Sequence, residues 1–271
     1  MRKKGEMVIE TLQGIDLHLI PSIQPEGWDI MAFHEFYTTT DYCHPIKIMV
    51  DDILVGIGTT ILHNDVAWLA HIIVHDNYRN QGIGRLITEN LIDIAQANRC
   101  STIYLLATEM GEPVYTKLGF EVETNYVLFK GEKTTGSIIH SENILPYQSD
   151  FLEQISLMDM QVSGEDRMFH LGPHLSNGFA YVEGIKVQGY YLPTFGDGLI
   201  IALTTQAGLE LMKLRLTTKD NAAFPVDNTI AASLIKQAGF KEFRIQKRMR
   251  LGQKRNWQSA NIYNRIGGNL G

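Results

Sequence analysis

Cysteine is scarce in this chain: Cys43 and Cys100 are the only two among 271 residues. They show no CxxC or metal-ligand spacing. That argues against a disulfide scaffold or a structural zinc site, and points to a reducing compartment, the cytosol. Long apolar runs are missing too. The longest, such as Leu199–Leu203, fall far short of the ~18 residues a membrane helix needs. The basic start Met1-Arg2-Lys3-Lys4-Gly5 has no apolar stretch behind it, so no secretory leader is read there. Positive charge is in deficit: 24 Lys and Arg stand against 30 Asp and Glu, a formal net of −6. No bulk attraction to nucleic acid is expected from that balance. What remains, 44% hydrophobic and 20% charged residues, is an ordinary globular composition, and the length fits about two domains.

Strand and helix patterns alternate through the first half. Val8–Leu12 reads as a strand and Glu26–Tyr37 as helix. Ile46–Val50 and Ile53–Leu62 read as strands parted by the Asp51-Asp52 turn. Ala67–Val74 is apolar on both faces, as a central strand covered twice would be. Simple alternation sets Trp68, Ala70, Ile72 and Val74 on one face, and Ala67, Leu69, His71 and Ile73 on the other. A helix is expected from about Gly84 to Ala97, with Ile83, Ile87, Leu91, Ile94 and Ala95 in one stripe. Thr102–Ala107 follows as a strand. Glu112–Leu118 is a short helix with Pro113 in its first turn and Gly119 at its stop. Phe120–Lys130 returns as a strand.

Gly131–Glu142 is polar and aperiodic, so a boundary is placed there, giving domains 1–132 and 143–271. The second half begins with a helix, Phe151–Met160. Strands are expected at Gly178–Val182, Val187–Leu192, Leu199–Leu203 and Ala222–Val226, with helices at Gln206–Leu216 and Thr229–Ala238. Phe243–Leu251 alternates. Lys117-Leu118-Gly119-Phe120 recurs as Gln237-Ala238-Gly239-Phe240, each followed by a strand, which reads as two copies of one fold.

Arg79-Asn80-Gln81-Gly82-Ile83-Gly84-Arg85 opens the first long helix. Glycines there permit a tight turn and close approach of a ligand. The first N–H groups of a helix lack partners and sit at the positive end of its dipole, so this turn suits a pyrophosphate. A dinucleotide fingerprint needs a third small residue where Ile87 stands. A Walker loop needs Lys-Ser/Thr where Arg85-Leu86 stand.

The segment from Val74 to Gly84 resembles the acetyl-CoA loop of GNAT-type N-acetyltransferases, whose core is Arg/Gln-x-x-Gly-x-Gly/Ala. Tyr115-Thr116-Lys117-Leu118-Gly119-Phe120 is similar to that family's second signature, tyrosine followed by x-Lys/Arg-x-Gly-Phe. Asp159…Gly164-Glu165-Asp166-Arg167 resembles a run in the branch that carries a second GNAT-like domain. The resemblance implies an α/β (α+β) fold of two tandem GNAT-like domains, each a mixed, mostly antiparallel sheet flanked by helices. It implies acetyl-CoA as co-substrate, no metal, and an amine acceptor that is a small molecule or a protein. Nucleic acid and membrane are not expected as partners, and an oligomer is compatible.

The resemblance also assigns roles. Backbone groups of Ile72, Ile73 and Val74 hold pantetheine, and an N–H near Val74 faces the oxyanion. Arg79, Asn80, Gln81, Gly82, Ile83, Gly84 and Arg85 hold the pyrophosphate. Tyr115 matches the general acid that protonates the leaving thiolate. A lysine-like amine must first lose a proton, at a cost of roughly 4–5 kcal/mol at pH 7. The matching base positions hold Trp68 and Ala70, which take no proton. His71, Glu109, Glu112 and a water relay remain open as the base; His75 reads as a neighbour of the phosphates. Relatives often place a pantetheine-contacting asparagine where Thr108 stands. The second half has Thr204-Thr205-Gln206-Ala207-Gly208 in place of the loop and Leu234-Ile235 in place of the tyrosine, so no acetyl-CoA is expected there. Lys241–Arg255 carries seven basic residues and one acid, read as a strand with a solvated or edge-protecting charged face. The leading reading is a cytoplasmic N-acetyltransferase; a non-catalytic acyl-CoA-binding sensor is the alternative.

Overall fold

The computed structural model describes residues 6–133 and 141–271. The Met1–Gly5 start and most of the polar stretch read as a boundary lie outside them. The chain divides into two compact units that exchange segments. The first takes residues up to Glu121 and Met249–Gln253; the second takes Val122–Arg248 and Lys254–Gly271.

In the first unit the order is β1 (Met7–Thr11), α1 (Met31–Thr38), β2 (Cys43–Val50), β3 (Ile53–His63), β4 (Val66–Val74), α2 (Ile83–Ala97), β5 (Thr102–Ala107) and α3 (Glu112–Lys117). A 3-10 segment, Gly14–Ser22, precedes α1 where no element was expected. Strands β1 to β4 are antiparallel neighbours, and β5 joins β4 in parallel. The expected stripe of α2 is buried on one sheet face with Ala67, Leu69, Ile103 and Leu105. The other face packs Leu12, Ile20, Ile30, Ile57 and Ile73.

Gly56 and Gly58 of β3 let α2 approach closely. A Cβ at Gly58 would stand 2.6 Å from Ile87 Cγ2 and 2.9 Å from Leu91 Cδ1. Gly58→Val is therefore expected to destabilise the protein by about 1–3 kcal/mol through overpacking. Equilibrium urea unfolding checks this, and an unchanged midpoint would refute the close approach.

Strand β4 departs from simple alternation. Its register with β3 shifts between Ile57↔Ile73 and Thr59↔Ala70, and His71 has φ +46°. This is a β-bulge, which leaves one residue unpaired and re-aims its neighbours. Ala67 and Leu69 face α2 before it; Ile72 and Val74 do so after it. Ile73 packs on the opposite face, and His71 meets rings of α1 there. The alternation read from sequence is thus corrected: Ile72 and Val74 share a face with Ala67 and Leu69.

The second unit contains β6 (Glu121–Lys130), β7 (Ile144–Pro146), α4 (Leu152–Ser163), α5 (Met168–Leu171), β8 (Phe179–Glu183), β9 (Lys186–Leu192), β10 (Leu199–Ala202), α6 (Thr205–Leu216), β11 (Asn221–Pro225), α7 (Thr229–Gln237), β12 (Lys241–Gly252) and β13 (Ile262–Asn264). One antiparallel sheet runs β13-β10-β9-β8-β7. The units part before β6 rather than after residue 132, because β6 pairs with β11 from Tyr126↔Pro225 to Lys130↔Asn221. The end of β12 returns to the first unit, where the Thr102 hydroxyl donates to Gln253 O at 2.9 Å.

Two expectations about the second half have different outcomes. The repeated Gly-Phe segments share one geometry. Gly119 and Gly239 have φ of +90° and +84°, and Phe120 and Phe240 N–H donate to Tyr115 O and Ile235 O, each at 3.1 Å. This is the left-handed helix stop that glycine favours. The charged face of β12, by contrast, is not simply solvated. Phe243 and Ile245 are exposed, while Arg248 is only 2% exposed. Arg248 pairs with Glu123 at 3.1 Å and lies 4.1 Å from the Trp257 ring centre. β12 also has a strand on each side, so it protects no edge.

Candidate active site

The turn into α2 has the backbone features that favour an anion. Asn80 and Gly82 have φ of +60° and +87°, left-handed values that curl the backbone into a concave row of amides. Gly82 caps α2 without a side-chain hydrogen bond. Leu86 N–H donates to Gly82 O at 3.0 Å; the N–H groups of Ile83, Gly84 and Arg85 precede that bond and have no partner within the helix. The space over the turn is open. A Cβ at Gly82 would meet nothing within 4 Å, and one at Gly84 only Val74 Cγ2 at 3.6 Å.

The flanking arginines are already engaged. Arg79 Nη2 lies 2.5 Å from Asp76 Oδ1, and its Nε donates to Val74 O at 3.4 Å. Arg85 Nε pairs with Glu89 Oε1 at 2.8 Å. Gln81 Nε2 donates to Asn77 O at 3.2 Å. With both guanidinium charges compensated, the main-chain amides carry the attraction for an anion.

Beside this turn the sheet opens. β4 and β5 pair at Val66↔Thr102, Ala67↔Ile103 and Trp68↔Tyr104, and then no further, although both strands continue. Successive residues of a strand direct their N–H groups to opposite edges. His75 N–H donates to Val55 O of β3 at 3.0 Å, so Val74 N–H points toward the opening. Ile72–Val74 line that opening with main chain.

Tyr115 lies in α3, is 8% exposed, and meets Phe120 edge-on at 6.0 Å. Its ring covers Gly111, where a Cβ would stand 3.1 Å from the hydroxyl. Its hydroxyl makes no hydrogen bond among the described residues. Burial pushes the hydroxyl well above the ordinary tyrosine range, so it stays protonated at neutral pH.

The bulge brings together a cluster that sequence reasoning passed over. Tyr37 hydroxyl and His71 Nδ1 are 2.9 Å apart. The His71 ring lies 4.9 Å from Phe33 and 5.5 Å from His34. Burial and the neighbouring His34 push His71 down to about 3. The signal was present in the spacing of Phe33, His34 and Tyr37 along one helix, but no sequence rule aims them at β4.

The other candidates are placed less tellingly. The Trp68 ring lies 5.2 Å from that of Tyr104, tilted against it. His75 Nδ1 accepts from Asn77 N–H at 3.2 Å, an ordinary turn contact. Thr108 Oγ1 accepts from Gly111 N–H at 3.3 Å, Glu109 is exposed, and Glu112 sits in the first turn of α3. Among the described residues no three His, Cys, Asp or Glu side chains are grouped to hold a metal, and no helix is long and apolar enough to cross a membrane.

The matching place in the second unit is closed. Thr204 Oγ1 accepts from Ala207 N–H at 3.3 Å and so caps α6 from within. The Tyr263 ring covers Gly208 so tightly that no Cβ fits. β13 pairs with β10 at Ile200↔Asn264, and Asn264 Oδ1 accepts from Ala223 N–H of β11 at 3.0 Å. The gap between β10 and β11 is thus filled by the chain's own strand, and Ile235 stands where the repeat places Tyr115.

Comparison with known proteins agrees with this fold. Residues 16–120 match the model of the Acetyltransferase (GNAT) family. A candidate acetyltransferase from Pyrococcus horikoshii superposes with a TM-score of 0.83 at 20% identity, over 98% of this chain and 96% of that one. A GCN5-related N-acetyltransferase from Sphaerobacter thermophilus gives 0.65 at 10% identity, over 96% and 98%. A tandem GNAT protein from the clavulanic acid biosynthesis pathway gives 0.59 at 10% identity, over 91% and 98%. At these identities the likeness establishes a shared fold.

Proposed function

We propose that this chain, whose residues 16–120 match the GNAT acetyltransferase family model with its reaction class of acyl transfer from acyl-CoA, moves an acetyl group from acetyl-CoA to a primary amine by direct attack. One observation carries the reading: the parting of β4 from β5 ends at a turn of unpartnered amides. The amides from Gln81 to Arg85 hold the diphosphate, and Asn80 and Gly82 shape the turn. Ile72–Val74 align pantetheine along the open edge of β4. Val74 N–H faces the thioester oxygen as negative charge develops on it. Holding both reactants in register supplies orientation. Tyr115 gives its proton to the departing sulfur. The acceptor is a small-molecule or protein amine, and the unbridged thiols of Cys43 and Cys100 favour a cytoplasmic setting.

Calorimetry with CoA and acetyl-CoA tests the binding part. One molecule per chain is expected, because only the first unit keeps its slot open; two per chain would contradict the closure by β13. Gly84→Val should keep the fold and weaken CoA binding at least about tenfold, since the turn has room for a side chain but not for a side chain and a diphosphate. Unchanged affinity would remove the amide cradle. Thiol release from acetyl-CoA, assayed against polyamines, amino acids, aminoglycosides, arylamines and lysine peptides, tests transfer. Binding without turnover across that panel would favour a non-catalytic sensor.

A further inference from the structure

Acetyl transfer leaves one requirement without a residue: the amine must shed a proton as it attacks. We propose that His71 Nε2 takes that proton, and that Tyr37 is the positioning residue that keeps Nε2 free; this assignment rests on the acetyl-transfer reading.

The first observation is the backbone. His71 occupies a left-handed conformation at a bulge in a central strand. Such conformations cost energy and cluster where a side chain must be aimed at a site. Simple alternation would have put His71 on the α2 face; the bulge turns it to the α1 face.

The second is place. His71 lies just beyond Trp68, the last β4 residue paired with β5, and directly before Ile72–Val74 at the open edge. It is therefore next in the chain to the stretch proposed to align the thioester, with its ring on the α1 side of β4.

The third is the surroundings. Tyr37, 1% exposed, meets His71 Nδ1 at 2.9 Å, and Phe33 and His34 pack on the ring. An Nδ1–H that donates to the Tyr37 oxygen leaves a lone pair on Nε2. His34 cannot cap it with a proton. Its Nδ1 lies 2.9 Å from Ile30 O, a pure acceptor, so the His34 proton sits on Nδ1 and its buried Nε2 is also bare. Burial and the neighbouring His34 push His71 down to about 3, so the ring is neutral at neutral pH and its lone pair is present there; that makes it a weak base, and the assignment rests on its placement.

The step balances. The amine nitrogen forms a bond to the acetyl carbonyl carbon and its proton passes to His71 Nε2. The C–S bond then breaks with its electron pair on sulfur, which takes the Tyr115 hydroxyl proton. His71 returns its proton to water and Tyr115 regains one. The net change is amine plus thioester to amide plus thiol.

Nitrogen-15 spectra of the histidine rings test this without an acceptor. His71→Asn, which tolerates the left-handed backbone, identifies the His71 signals by their loss. The wild type should show a neutral His71 protonated on Nδ1, and adding CoA should move its Nε2 signal while leaving His170 in place. Tyr37→Phe should shift the ring toward the Nε2–H tautomer. A wild-type ring protonated on Nε2, or no response to bound CoA, overturns the proposal. With the fastest amine of the panel above, His71→Asn should lower kcat about a hundredfold and Tyr37→Phe about tenfold, with KM for acetyl-CoA unchanged. Equal kcat in wild type and Tyr37→Phe overturns the positioning role. If calorimetry shows no CoA binding, the acetyl-transfer reading falls first. If CoA binds but no amine is acetylated, the response of His71 Nε2 to CoA still decides.

Discussion

Tyr115→Phe is expected to lower kcat for acetyl transfer by about 10²- to 10⁴-fold while leaving CoA affinity within about twofold. The ring is the whole of the residue's structural role: it packs on Phe120 and covers Gly111, and phenylalanine keeps both contacts. The hydroxyl makes no hydrogen bond among the described residues, so its removal leaves no partner stranded. Melting temperature should stay within a few degrees. Because burial holds the hydroxyl proton well above the usual tyrosine range, the wild-type rate should show no break from this group at or below pH 9. Steady-state kinetics beside calorimetry with CoA measures the split. Unchanged turnover would leave Tyr115 as a packing residue and return the proton donor to water.

Breaking the Asp159–Arg167 pair should cost about 3–5 kcal/mol of stability. Arg167 Nε and Nη2 each donate to the Asp159 carboxylate at 2.9 Å, the Tyr190 hydroxyl donates to the same carboxylate, and the charged side chains are at most 5% exposed. Burial opposes the guanidinium charge, yet the charge and hydrogen bonds of Asp159 outweigh it and hold Arg167 above its ordinary range. Asp159→Ala leaves Arg167 buried without its ion-pair partner, the charge of Glu165 compensating it only in part, and that accounts for most of the loss. An Asp159→Leu/Arg167→Met double variant removes both charges and should regain much of it. Guanidinium unfolding of the three proteins measures the difference. A loss under about 1 kcal/mol for Asp159→Ala would mean that water solvates the stranded cation.

That pair also shows how far a motif reading reaches. Asp159…Arg167 was legible as a family-like run, and its ion pair follows from the turn at Gly164, whose φ of +74° ends α4 and folds Arg167 back. The involvement of Tyr190 was not legible, because a strand residue thirty-one positions away reaches the carboxylate only through packing. The charged face of β12 failed for the same reason. Alternation reports which residues share a side, but whether that side meets water or buried acids depends on what covers it.

Local chemistry was enough for much of this molecule. The apolar stripe of α2, the glycines of the turn before it and the Gly-Phe stop after α3 are set by backbone sterics and helix periodicity, which act between near neighbours. So the amide turn was legible from residue order, while the role proposed for Tyr115 came from the family resemblance. Three features were decided only by the tertiary structure: the bulge that turns His71 onto Tyr37, the exchange of β6 and the end of β12 between units, and β13 closing the second slot. Each is a choice of partner between distant strands. Hydrogen-bonding edges carry no sequence label, so packing and register select among them once the chain has collapsed.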